Sequence, residues 1–200
     1  MKENKTKKTN VRFLAGSGML AAAAIALQYI EVPIPIIPSF IKLDFSDLPE
    51  LIGAFAYGPF AGIIIALVKN LIHMAVSQSG YIGELSNFML GAVFSCVAGI
   101  VYRKDKTKKG AFIGGIIGAL CMAAVSYPSN LFIVYPFYYN FMDKAAVLGM
   151  YQAIMPGVKS IEQALLIFNV PFTFVKGLIC VAISMLIYKP LSPILHGKRK

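Results

Sequence analysis

The stretch LPELIGAFAYGPFAGIIIALVKNLIHM, residues 48–74, is apolar along most of its length and is interrupted at Tyr57-Gly58-Pro59. A helix needs about 20 residues to cross a bilayer. This stretch is longer than one crossing and shorter than two. It reads either as one tilted helix or as two shorter ones joined at Gly58-Pro59, where proline lacks an amide donor and glycine frees the backbone. The choice sets the number of spans, and the flanking charge makes it.

Lys2, Lys5, Lys7, Lys8 and Arg12 precede the first apolar run. Arg103, Lys104, Lys106, Lys108 and Lys109 fill one short gap, and Lys189, Lys198, Arg199 and Lys200 follow the last run. Together these are fourteen of the nineteen lysines and arginines. Basic segments beside apolar spans lie on the cytoplasmic side, so any two of them are separated by an even number of crossings. Between the first and second, parity requires the split, giving spans at 12–30, 47–56, 59–76 and 83–102. Beyond the basic gap one span begins near 110, with Pro128 kinking its outer end, and another covers 161–188. The expected fold is an all-α integral membrane protein with six transmembrane helices and cytoplasmic N- and C-termini. Residues 1–11 and 190–200 are the expected basic tails of a membrane domain at 12–189. The first span reads as a retained helix, since no small-residue cleavage site follows it. The second span, at about 1.5 Å per residue, is too short to cross alone and must lean on its neighbours.

Composition agrees with lipid as the solvent. The chain of 200 residues is 58% hydrophobic and 14% charged, against about 25% charged in a soluble domain. The net charge of +10 is a topology signal by its placement, so no nucleic-acid partner is expected. Cys96, Cys121 and Cys180 lie in apolar runs and read as small buried hydrophobes. With two histidines in the chain, no metal cluster is expected. The sequence holds no G-x-x-x-x-G-K-[ST] phosphate loop, no H-E-x-x-H and no G-x-S-x-G. No enzyme activity and no cofactor is expected, and energy for any pumping must come from a gradient or another subunit.

Polar residues inside or at the edge of a membrane are costly and therefore informative. Parity places the loop 31–48 outside, where Pro33, Pro35 and Pro38 exclude a regular helix. Asp44, Asp47 and Glu84 face the same side, and Asn87, Asn130, Asn169, Thr173 and Lys176 fall in the outer parts of their helices. These groups converge on a polar pocket that opens outward. Two plainer readings stand beside it. Lys69 has Asp47, Glu50 or Glu84 as partners for holding helices together. Asp47 is expected as the N-cap of the second helix, accepting from its first free amides. Gly18, Ala22 and Ala26 recur every four positions on the first helix, a stripe that permits close helix approach, either within the protein or against another one.

Several of these runs carry a resemblance. The segment EVPIPIIPSFIKLDFSDLP at 31–49 resembles the first external loop of riboflavin-binding S components of energy-coupling factor (ECF) transporters, the RibU type. The match continues in order through Gly58-Pro-Phe-Ala-Gly62, Lys69-Asn-Leu-Ile-His73, Gly83-Glu-Leu-Ser-Asn-Phe88, Tyr102-Arg-Lys104, Tyr135-Pro-Phe-Tyr138 and Pro171-Phe-Thr-Phe-Val-Lys-Gly177. It covers nearly the whole chain apart from the tails and the connection at 138–160.

The resemblance implies a substrate-capture subunit of the bacterial plasma membrane. Riboflavin is its implied transported ligand. Its implied partners are the ECF transmembrane coupling subunit and two ATPase subunits, with lipid around it. The implied ligand-contacting residues are Ile41, Lys42, Leu43, Asp44 and Phe45 on the loop, Glu84 and Asn87, Asn130, and Thr173 with Lys176. Phe40 joins Leu43 and Phe45 as an apolar cover for the ring faces. Thr173 departs from the pattern, where Asn is commoner; it keeps a hydroxyl and lacks the amide. Gly18, Ala22 and Ala26 fall on the helix the family sets against its membrane partner. The chemistry is compatible: an Asn amide and a lysine donate to the ring's carbonyl edge, and Glu84 accepts from ribityl hydroxyls. The alternatives are another vitamin or flavin mononucleotide in the same fold, or an intramembrane enzyme with a metal at Asp44, Asp47 and Glu84.

Overall fold

The break at Gly58-Pro59 is present in the computed structural model. Helix α2 (Asp47–Tyr57) stops at Gly58, whose φ of 102° is open to glycine and strained for other residues. Helix α3 (Pro59–His73) starts with proline in its first turn, where the missing amide would have had no helical partner anyway. The structure describes residues 2–38, 41–77 and 80–196, with side chains for 11–38, 41–77 and 80–187. Phe40 lies outside the described residues.

Helix α1 (Lys2–Gln28) leads into a two-residue antiparallel pairing of β1 (Val32–Pro33) with β2 (Lys42–Leu43), so the external loop is not wholly irregular. After α3 and one 3-10 turn (Met74–Val76) comes α4 (Ile82–Lys104). Thr107 caps α5 (Lys108–Ser129), its hydroxyl accepting from the Gly110 amide at 3.0 Å. That helix widens into a π turn (Asn130–Val134) and closes with α6 (Tyr135–Tyr138). The connection at 138–160 folds as α7 (Lys144–Ile154), with Asp143 accepting from the Ala145 amide. The last span is α8 (Ile161–Ala164), a second π turn (Leu165–Asn169) and α9 (Val170–His196). Helix therefore continues through residues 2–11 and 190–196.

Among the described residues, five helical segments are long and apolar enough to cross a membrane: Val11–Gln28, Pro59–Val76, Ile82–Lys104, Lys108–Tyr138 and Ile161–Ile187. Helix α2 is the remaining member of the expected six. Its 11 residues span only about 16 Å, against a hydrocarbon core of about 30 Å. It lies inside the bundle, packed on α1, α3, α4 and α9, and is buried over most of its length.

Close helix approach depends on small residues. A Cβ at Gly114 or Gly118 of α5 would meet the carbonyl oxygens of Ala98 and Phe94 on α4 at 2.8 and 2.7 Å. This pair four residues apart lets the two backbones touch, as membrane helices do in the absence of a hydrophobic drive. Of the three apolar clusters among the described residues, the two larger ones frame the site. One, around Leu51, Phe94, Met122 and Cys180, fills the bundle. The other, around Ile82, Val134, Tyr135, Val147 and Tyr151, ties α7 to the outer ends of the spans.

Candidate functional site

Both π turns stop two residues short of a proline, Pro136 in one case and Pro171 in the other. A proline ring clashes with the carbonyl four residues back, and widening the helix by one residue relieves the clash. Such turns concentrate at functional sites. Here they carry Asn130 and Asn169, both buried. Asn130 gives its amide to the Ser126 carbonyl at 2.7 Å. Asn169 accepts from the Tyr151 hydroxyl at 2.7 Å and donates to the Tyr135 hydroxyl at 3.3 Å, while the two tyrosine hydroxyls also bond each other.

These asparagines face a cavity of about 940 Å³ between the two apolar clusters, with Met122 contributed by one and Val134, Tyr135 and Val147 by the other. The volume is at the upper end of small-molecule sites, about 300–1,000 Å³. Ile41, Lys42, Asp44, Glu84, Asn87, Asn130, Thr173 and Lys176 all line it. Leu43 and Phe45 do not; successive side chains of a strand point to opposite faces, so with Lys42 on the cavity side Leu43 lies on the other. Gln28, His73, Tyr135, Asn169 and Asp47 line it as well.

The two lysines of the membrane interior hold the first loop to the bundle. Lys176 on α9 reaches Asp44 Oδ2 at 2.9 Å and Asp47 Oδ2 at 3.0 Å. Lys69 on α3 reaches Asp47 Oδ1 at 3.0 Å and Glu50 Oε1 at 2.6 Å, and donates to Ser46 Oγ. Of the three partners open to Lys69, it therefore takes two and leaves Glu84. Asp44 accepts from the Ser46 amide at 2.8 Å and from its hydroxyl. Burial would raise the Asp44 carboxyl, but the Lys176 and Lys69 ammoniums outweigh it and hold the group well below the usual carboxylate range.

The N-cap expected at Asp47 is corrected by this network. Ser46 occupies the cap position and makes no side-chain cap bond; Asp47 is the first residue of α2, its carboxylate shared between the two lysines. Two ammoniums, each 3.0 Å from the carboxylate, give it more charge compensation than a single helix amide would.

A second polar group lies on the α1–α3–α4 side. His73 Nδ1 is 3.0 Å from Glu84 Oε1, Ser77 donates to Glu84 Oε2 at 2.8 Å, and Tyr29 packs on the His73 ring. Glu84 is thus separate from the Asp44–Asp47 cluster, and the three carboxylates named for a metal do not form one group: among the described residues none of three or more His, Cys, Asp or Glu does. At the cavity rim, Lys42 pairs with Glu31 across the β turn.

The small-residue stripe faces outward. Gly18, Ala22 and Ala26 are exposed, and a Cβ at Gly18 would meet nothing within 4 Å, while Ala21 and Ala24 make the inward contacts.

Sequence reasoning missed Gln28, His73 and Tyr135. A polar amide at the end of an apolar span was a usable signal for Gln28. Tyr135 had none, because the extra residue in each π turn breaks the helical period that would have placed it.

Comparison with known proteins agrees with this architecture. A family model for the substrate-specific component of ECF transporters matches residues 12–188. The riboflavin transporter RibU of Staphylococcus aureus is 34% identical over 87% of this chain and 87% of its own. The riboflavin transporter FmnP of Bacillus subtilis is 27% identical over 94% and 96%. A solved structure of the S component of a bacterial ECF transporter superposes with a TM-score of 0.72 at 35% identity, covering 95% of this chain and 99% of that one. With apolar spans, a buried ion network under the outer loop and a cavity of ligand size, the chain belongs to the substrate-specific components of ECF transporters, integral proteins of the bacterial membrane.

Proposed function

We propose that the cavity captures riboflavin at the outer face, and that uptake is driven by a coupling subunit and two ATPase subunits that bind elsewhere. The observation that carries the ligand reading is the pairing state of the cavity's cations. Lys176 is matched by Asp44 and Asp47, and Lys42 by Glu31. A phosphate would have to break one of these pairs, whereas an uncharged ligand leaves the balance intact. That favours riboflavin over its phosphate, and the relatives named as riboflavin transporters support the same reading.

The site residues divide by chemistry. Asn130, Thr173 and Lys176 lie on one wall and offer donors and acceptors to the carbonyl edge of a flavin ring. Glu84 and Asn87 lie on α4 and offer acceptors and an amide to a polyol. Ile41, Lys42 and Asp44 close the cavity from the loop, with Leu43 and Phe45 behind them. No catalytic step is assigned to any of these groups. Gly18, Ala22 and Ala26 present the partner face, and their outward exposure supports that role. Protein purified from cells grown on riboflavin is expected to be yellow and to release riboflavin on denaturation, identified by mass. Release of flavin mononucleotide or of a different vitamin contradicts the proposal.

A further inference from the structure

His73 is the last residue of α3 and follows Lys69 by four positions, so the two share one face of the helix. Lys69 is taken up by the loop carboxylates, while His73, one turn further out, meets the start of α4. The chain turns back between the two helices through Gly80 and Tyr81, at φ of 63° and 72°. That turn sets Glu84, in the first turn of α4, against the end of α3, where the helix N-terminus also favours a negative charge. Glu84 is buried, lines the cavity and is gripped at both oxygens. His73 Nδ1 lies 3.0 Å from Oε1, and the Ser77 hydroxyl donates to Oε2 at 2.8 Å. A carboxylate only accepts, so Nδ1 carries the ring proton. Tyr29, packed on the ring at 5.4 Å between centroids, fixes its plane.

The other carboxylates of the cavity, Glu31, Asp44 and Asp47, each face a lysine. A ring N–H and a hydroxyl orient Glu84 without a lysine's fixed charge. The carboxylate so held stays a strong acceptor, since bonds to an ionised acceptor are roughly twice as strong as neutral ones. We infer that His73 is a positioning residue, whose Nδ1–H fixes the orientation in which Glu84 accepts from a hydroxyl of the ligand's polyol chain. The inference rests on the riboflavin reading and deepens it, because it names what makes the α3–α4 end of the cavity selective for the chain rather than the ring. A flavin with no hydroxylated chain makes no use of this arrangement.

The test is a fluorescence titration of the whole protein with riboflavin and with lumiflavin, which keeps the ring and has a methyl in place of the chain. His73→Phe keeps a ring against Tyr29 and removes the donor. His73→Asn returns an amide N–H close to where Nδ1 stands. Riboflavin affinity is expected to fall roughly three- to tenfold in His73→Phe, with lumiflavin affinity unchanged, and to come back to within about twofold of the parent in His73→Asn. Unchanged riboflavin affinity in His73→Phe overturns the inference. So does an equal loss for both flavins, which marks a merely structural role, and so does a His73→Asn variant that binds riboflavin no better than His73→Phe. A parent protein that binds neither flavin overturns the riboflavin reading itself, and is recognised because the loss precedes any substitution.

Discussion

Lys69 is fully buried and gives its ammonium to Asp47, Glu50 and Ser46, yet it does not line the cavity. Its replacement takes from Glu50 the lysine it pairs with and leaves Asp47 with Lys176. Lys69→Met is expected to destabilise the protein by about 3–5 kcal/mol, the usual cost of breaking a buried ion pair from one side. Lys42 pairs with Glu31 in a half-exposed setting, and Lys42→Ala is expected to cost only about 0–1 kcal/mol. Unfolding in detergent, followed by heat for both variants, checks the contrast. Lys176 differs from both because it lines the cavity. Lys176→Met is expected to weaken flavin binding about 10- to 100-fold, the range for a lost hydrogen bond to a charged group; a titration with unchanged affinity moves the ring site elsewhere. The sequence pointed to these lysines because an ammonium in an apolar span must find partners. It left the partner of Lys69 open, since three carboxylates fall within a helix's reach and only packing selects among them.

Among the elements, α1 has two working faces. Ala21 and Ala24 point inward, Gln28 ends the helix at the cavity, and Gly18, Ala22 and Ala26 point outward. Ala22→Leu is expected to leave riboflavin affinity unchanged and to lower coupled uptake in cells that supply the other subunits. Full uptake with the bulky residue contradicts a partner role for the stripe. The spacing of small residues was readable in the sequence, but not its direction, because a period of four marks a face without saying what it meets. The π turns were less legible still. Proline signals a disturbed helix, and whether the disturbance is a kink, a break or one extra residue depends on the neighbours that fill the widened turn. Asn130 and Asn169 were found as polar residues at the right depth; their shared geometry was not.

At the scale of the molecule, the bundle exists to hold a loop over a cavity. Helix α2, too short to cross the hydrocarbon core by itself, carries Asp47 and Glu50 into the bundle, where α3 and α9 each contribute a lysine. The fold class was legible because lipid imposes simple rules on length and composition, and the break at Gly58-Pro59 was read from the charge pattern. The cavity itself was legible only as a gathering of polar groups on one side. Its walls depend on α7 and the Tyr135–Tyr151–Asn169 contacts, which join residues distant in the chain and carry no local pattern. The central claim is that this cavity takes uncharged riboflavin. Titration of riboflavin with the purified, flavin-free protein tests it most directly: the account predicts saturable quenching of flavin fluorescence at one ligand per protein, with flavin mononucleotide competing poorly. No quenching, or displacement of riboflavin by flavin mononucleotide at equal concentration, would contradict it.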